Sequence, residues 1–171
     1  MGKNKNILKY EVVDNFLSKN EYEKIYDLIM KSHEFPWFYE PNISYVEKTS
    51  KNHLFYLIHI FYSNNKPNSF YFNILDNLLT KLKPRALLRI KANFYPNQNI
   101  KKLNEPHVDY PFSHTGAVYS INTCNGGTIM EDGTLVKSIA NRIVFFDAGK
   151  MHDSLNCTDA KARVNINFNY L

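Results

Sequence analysis

The sequence predicts a mainly β domain carried on two N-terminal helices, and three observations lead there. Apolar residues keep a helical period in two segments before Pro84 and switch to a period of two from Ala86 onward. The later half is cut into short apolar runs by turn residues such as Asn125-Gly126-Gly127 and Asp132-Gly133, the pattern of a sandwich or barrel. The length, 171 residues, suits one domain, with no internal repeat or composition shift to mark a second. On this reading 1–171 is a single domain, in which 1–85 supports a β core formed by 86–171.

The elements follow in order. Residues 8–17 form an opening strand that runs into a turn. Ser18 and Glu21 make a capping box, so a helix should run to about Lys31 with Tyr22, Ile25, Tyr26 and Ile29 on its buried face. Phe35-Pro36-Trp37-Phe38-Tyr39 is an aromatic loop that either lines a groove or covers the core edge. His53–Tyr62 has the β-branched and aromatic content of a strand, and its two histidines read as structural. A second helix is expected over Ser69–Leu82 and should end at Pro84. From Ala86, one strand face carries Leu88, Ile90, Ala92 and Phe94, and the other Arg89, Lys91, Asn93 and Tyr95. Strands are expected at Ala117–Asn122, Thr128–Met130, Thr134–Val136 and Arg142–Asp147. The last, Ala162–Tyr170, alternates strictly between Val164, Ile166, Phe168, Tyr170 and Arg163, Asn165, Asn167, Asn169.

Composition excludes several classes. A hydrophobic fraction of 44% rules out a disordered chain. No apolar run approaches the roughly 18 residues that span a bilayer, and Met1–Tyr10 is basic but lacks the apolar stretch of a secretory leader. A soluble cytoplasmic protein without a membrane partner is therefore expected. Cys124 and Cys157 read as free thiols. The net charge of +5 could attract nucleic acid, but no basic run exceeds Lys101-Lys102, so a scattered basic surface is the favoured reading.

The chemistry concentrates at His107-Val108-Asp109, with His152 downstream and Arg163 opening the last strand. Residues i and i+2 of a strand share a face, so His107 and Asp109 can grip one ion together. Two histidines and a carboxylate on a β scaffold make the facial triad that holds non-haem Fe(II) and leaves positions open. Arg163 would be buried with only asparagines beside it on its face, and a buried guanidinium requires an anion. His114 and Asp153 read as turn or supporting residues, and Arg142 as one half of a structural ion pair.

These residues carry a resemblance. Asn93-Phe94-Tyr95-Pro96, His107-Val108-Asp109, Ala117-Val118-Tyr119, Gly126-Gly127-Thr128, Asn141-Arg142, Phe145-Phe146-Asp147, His152-Asp153 and Arg163-Val164-Asn165 look like the 2-oxoglutarate- and Fe(II)-dependent dioxygenases. The chain is most similar to the prolyl 4-hydroxylase-like branch, especially the small versions encoded by bacteriophages, which would place it in a host cytoplasm. The resemblance implies a double-stranded β-helix, or jelly-roll, core. It implies Fe(II) held by His107, Asp109 and His152, and 2-oxoglutarate paired through its C5 carboxylate with Arg163 and a tyrosine, Tyr95 or Tyr119. Asn93 and Asn165 join the co-substrate set. O2 is the second co-substrate, with ascorbate as an accessory. The implied reaction is hydroxylation of an unactivated C–H, with a peptide or protein side chain such as proline as the default substrate. Two rivals are an oxidative nucleic-acid demethylase and a non-enzymatic cupin-like binding module. Two departures from collagen-type members stand out: arginine rather than lysine at position 163, and a short interval between His107 and His152.

Overall fold

The computed structural model describes residues 10–41, 55–99 and 106–171. The start of the predicted opening strand, His53 and the Lys101-Lys102 pair lie outside the described residues.

Strand β1 (Tyr10–Val13) leads into helix α1 (Lys19–Met30). The capping box forms as the sequence predicts: the Ser18 side chain accepts from the Glu21 backbone while Glu21 reaches back to Ser18 N. Ile25 and Ile29 are the buried stripe of α1. Strands β2 (Phe38–Glu40), β3 (Tyr56–Ser63) and β4 (Lys66–Pro67) follow.

The second predicted helix is shorter than its apolar period suggested. A 3-10 turn over Phe72–Leu75 precedes α2, which covers only Asp76–Leu82. No side chain caps the start of either segment, so the apolar residues before Asp76 are held by packing rather than by helix initiation. The end is as expected in place but not in cause. Lys83 takes a left-handed conformation with φ 50°, and Pro84 follows the stop instead of making it.

The β core comprises β5 (Leu87–Pro96), β6 (Thr115–Ser120), β7 (Gly127–Ile129), β8 (Leu135–Lys137), β9 (Arg142–Asp147), β10 (Asp153–Leu155) and β11 (Ala162–Tyr170). The larger sheet runs β1-β9-β6-β11-β5-β3-β2, with β4 on β3, and the smaller runs β10-β7-β8. Every pairing is antiparallel. Two sheets facing one another with the long strands central form the expected jelly roll. Gly127 belongs to β7 rather than to the turn before it, since it pairs with Lys137, and glycine is required there because a side chain would meet the Val136 carbonyl at 2.2 Å. Asp132-Gly133 does turn the hairpin between β7 and β8, with Gly133 at φ 82°.

The two faces of the larger sheet have separate jobs. One packs Ile90, Ala92, Ala117, Tyr119, Ile143, Val164, Ile166 and Phe168 against Ile25, Ile29, Leu75, Leu78 and Leu82 of the helical side. The other turns toward the smaller sheet, with Val118, Val144 and Phe146 clustered against Met130 and Val136. Beside that apolar patch the same face becomes polar along β5 and β11. There Arg163 stands opposite Tyr95, Asn165 opposite Asn93, Asn167 opposite Lys91 and Asn169 opposite Arg89. The alternation read from the sequence therefore lines the space between the sheets.

The aromatic loop divides. Phe35 is buried and Trp37 packs edge-on against both Phe35 and Phe94, so these cover the core. Phe38 and Tyr39 begin an edge strand and are exposed. Arg142 makes the expected ion pair, Nε and Nη2 to the two oxygens of Asp14 at 2.5 and 2.9 Å.

Candidate metal centre

His107 and His152 meet across an isolated antiparallel bridge, each N–H donating to the other's carbonyl at 2.9 and 3.0 Å. Beyond it, Asp109 N–H donates to the Ala148 carbonyl at 3.0 Å. The motif is thus placed by one bridge and one further backbone hydrogen bond rather than by a continuous strand, yet His107 and Asp109 still meet at one cluster. The ligand atoms of His107, Asp109 and His152 all lie within 4.8 Å of one another. His152 Nε2 stands 3.8 Å from Asp109 Oδ2, and the two imidazole rings are 4.6 Å apart.

A set of supporting contacts orients these donors. His152 Nδ1 is 3.0 Å from the Lys150 carbonyl, so it carries the proton and Nε2 keeps its lone pair toward the cluster. Burial pushes the His152 imidazole below its ordinary pKa, favouring the neutral ring that a metal needs. Arg89 donates to Asp109 Oδ1 at 2.5 Å, and the Asn167 amide to Oδ2 at 3.1 Å. Burial raises the Asp109 carboxyl, but Arg89, His152 and the Asn167 amide outweigh it and hold the group below its usual range. One neutral imidazole and one anionic carboxylate, both fixed from behind, fit a divalent cation.

Arg163 lies at the other end of the polar face and is 2% exposed. Its guanidinium donates to Ser154 Oγ and, at 3.0 Å, to Thr128 Oγ1, both on the smaller sheet. Its carbon sits 5.5 Å over the Tyr95 ring. Among the described residues no carboxylate pairs with it, and Nε is buried without a partner. Other buried polar atoms on the same face also lack partners: Arg89 Nε, Asn93 Oδ1, Asn167 Oδ1 and Asn169 Nδ2. Such atoms are rare in folded proteins and concentrate where a ligand or water completes them.

Of the eight predicted site residues, the structure brings seven to this face. Asn93 donates to Asn165 Oδ1 at 2.9 Å, beside Tyr95 and Arg163. Tyr119 is the exception and corrects the expectation. It pairs with Ile166, so it points into the helical side of the sheet, where its hydroxyl donates to Asn141 Oδ1 at 2.8 Å. The strand period settles this: Tyr119 is out of phase with Val118, which faces the site. His114 is a supporting residue at the end of the face, its Nε2 2.8 Å from Asn169 Oδ1. His59 bonds Pro36 O and Ser69 Oγ, away from the cluster, as a structural histidine.

Sequence reasoning missed several contributors. Arg89 and Asn167 were visible as members of polar strand faces, and that phase was the signal for their role. Ser154 and Thr128 carried none, since they reach Arg163 only through the pairing of the smaller sheet.

The sequence matches no protein-family model and no curated protein. Solved structures do share the fold. A prolyl-4-hydroxylase from Pseudomonas putida superposes with a TM-score of 0.62 at 14% identity, over 95% of this chain and 92% of that one. The viral collagen prolyl hydroxylase of Paramecium Bursaria Chlorella virus-1, in its 2-oxoglutarate complex, gives 0.63 at 13%, over 94% of both chains. The non-heme alpha-ketoglutarate-dependent epimerase SnoN of nogalamycin biosynthesis gives 0.67 at 12%, over 95% of this chain and 78% of that one. The predicted double-stranded β-helix is therefore the fold of this chain.

Proposed function

We propose that the protein is an Fe(II)- and 2-oxoglutarate-dependent dioxygenase that hydroxylates an unactivated C–H bond on a peptide or protein side chain, proline first. One observation carries this: a two-histidine, one-carboxylate cluster, with His152 buried and His107 and Asp109 half-buried, shares a polar face with a buried arginine that forms no ion pair with a described carboxylate. The likeness to prolyl hydroxylases supports the choice of substrate class, and the likeness to an epimerase marks that the fold serves more than one outcome.

His107, Asp109 and His152 would hold the iron, with Nε2 as the His152 donor. Arg89 and Asn167 keep the Asp109 carboxylate ionised and aimed. Arg163 would grip the distal carboxylate of 2-oxoglutarate in a fork that lysine does not reproduce. Tyr95, whose phenol burial keeps protonated, and the Ser154 and Thr128 hydroxyls stand beside that position as donors. Asn93 and Asn165 line the path between the two ends. When bound, iron, 2-oxoglutarate and O2 supply the oxidant that breaks the C–H bond. The chain's own share is to position these partners and to exclude water between its two sheets.

The test is succinate formation from 2-oxoglutarate that requires Fe(II) and disappears in His107→Ala and His152→Ala. A panel then decides the substrate class: a one-oxygen mass gain on peptides is expected, whereas methyl loss from modified oligonucleotides would transfer the assignment to nucleic acid. Metal binding with no turnover under any condition would leave a cupin-like binding module.

A further inference from the structure

The polar face holds a cation for which iron and 2-oxoglutarate provide no use. Lys91 stands on β5 between Arg89 and Asn93, directly opposite Asn167, whose amide bonds the Asp109 carboxylate. Its ammonium lies 3.4 Å from the Tyr56 hydroxyl and 5.4 Å over the Tyr56 ring. Tyr56 stacks in turn on Tyr95 at 5.2 Å with 7° between the planes, and Arg163 covers Tyr95. One aromatic wall therefore has a cation at each end: Arg163 at the co-substrate end, and Lys91 beside the cluster.

Charge makes Lys91 conspicuous. The groups whose fields reach it are Arg89 of like sign, and Asp109 and Glu40 of opposite sign. Asp109 already holds Arg89 and faces the histidines, and among the described residues no carboxylate forms an ion pair with Lys91. Burial, with Arg89 adding to it, pushes the Lys91 ammonium down to about 8. In the loaded site, a divalent metal, Arg89, Arg163 and Lys91 would face Asp109 and the two carboxylates of 2-oxoglutarate, with Asp153 near Arg163 and His107 and with Glu40 at the margin. Asp109 is taken by Arg89 and Asp153 lies in the fields of Arg163 and His107, so Lys91 has no ion pair of its own among the described residues beside the place where a substrate must come. A partly desolvated cation without a matched anion is costly, and an anion brought to it gains accordingly.

Resting on the dioxygenase reading above, we propose that Lys91 determines specificity by receiving a carboxylate of the substrate, so that the peptide residue presented to the metal is acidic or adjoins an acidic residue. One half-buried ammonium matches a single carboxylate, whereas a nucleic-acid backbone calls for a row of exposed cations.

Matched proline-containing peptides test this, each Asp or Glu peptide made with its Asn or Gln twin. They are offered to the protein loaded with Fe(II) and 2-oxoglutarate. The readouts are peptide binding by fluorescence anisotropy, succinate formation and one-oxygen mass gain. The acidic twin should be preferred by about tenfold or more. Lys91→Met, which keeps the volume, should bring that ratio close to one, Lys91→Arg should retain most of it, and Lys91→Glu should favour peptides carrying lysine instead. A ratio near one in the unmutated protein, or one that Lys91→Met leaves unchanged, overturns the assignment, as does stimulation by oligonucleotides in place of peptides. Absence of iron-dependent succinate formation under all conditions would instead remove the dioxygenase reading itself, and this inference with it.

Discussion

Two arginines stand at opposite ends of the same β5–β11 face, about 20 Å apart along six residues of strand, and they are treated differently. Arg89 has its own carboxylate, Asp109, at 2.5 Å, and lies over the Tyr110 ring. Arg163 is more deeply buried and, among the described residues, hydrogen-bonds only the hydroxyls of Ser154 and Thr128, lies over the face of Tyr95 and feels the charge of Asp153 without an ion pair. A fold selected only for stability gains nothing from the second arrangement, since a buried unpaired charge costs several kcal/mol and an apolar residue of like volume does not. The difference teaches that Arg89 has its carboxylate within the protein, while Arg163 has none paired to it among the described residues, which is what the proposed co-substrate role requires of it.

Removing the anion at one end and the cation at the other should therefore have opposite effects on the metal-free protein, and this is the largest contrast expected. Asp109→Ala strands Arg89 and should lower unfolding free energy by about 2–4 kcal/mol, besides abolishing metal binding. Arg163→Met should leave unfolding free energy within about 1 kcal/mol of the parent or raise it. Its effect should fall on 2-oxoglutarate, with affinity reduced about a hundredfold, while Arg163→Lys should lose about tenfold. Urea titrations with a chelator present give the first pair of values, and titration with metal and then co-substrate gives the second. Equal destabilisation by both substitutions, or equal loss of iron binding, would make Arg163 a structural residue.

The two tyrosines sharpen the same contrast at a smaller scale. Tyr95→Phe removes a phenol from the Arg163 end and should weaken 2-oxoglutarate binding roughly three- to tenfold. Tyr119→Phe removes the hydrogen bond to Asn141 on the far side of the sheet and should cost about 1 kcal/mol of stability with no change in co-substrate affinity. Calorimetric titration of both variants checks this. A Tyr119→Phe protein that bound 2-oxoglutarate poorly would contradict the register of β6 on β11.

Much of this was legible in the sequence because strand periodicity and metal spacing are local patterns. The alternation of Ala162–Tyr170 gave both faces of β11, and the capping box at Ser18 gave the start of α1. What escaped was set by contacts between distant segments. Nothing near Thr128 or Ser154 signals that the smaller sheet will lay their hydroxyls on Arg163. Asn141 is similar: at φ 62° it accepts from Leu17 N and Tyr119 Oη and donates to Leu17 O, tying the turn before α1 to the sheet. The choice between Tyr95 and Tyr119 stayed open for the same reason, since strand phase is fixed only by the partner strand. The second helix was drawn too long because its apolar period persists through residues that have no cap to start them.

The smallest effect concerns a histidine outside the site, and its sign follows from burial. His59 is 3% exposed, bonded at both ring nitrogens to Pro36 O and Ser69 Oγ, and packed 4.3 Å from the Phe35 ring. Burial pushes its imidazole below the ordinary value of 6.5, with the Pro36 carbonyl opposing. The unfolded chain therefore takes up the proton at a higher pH than the folded one. The stability that His59 contributes is complete above pH 6.5 and is lost as pH falls through that value toward the folded pKa. His152 is shifted the same way by burial, so the wild-type slope contains both groups. Replacing His59 by Gln should flatten the fall in urea midpoint between neutral and mildly acid pH without removing it, and should leave Fe(II) binding unchanged. An unaltered slope would mean that His59 takes up its proton at the same pH in the folded and unfolded chains, the Pro36 carbonyl fully offsetting its burial.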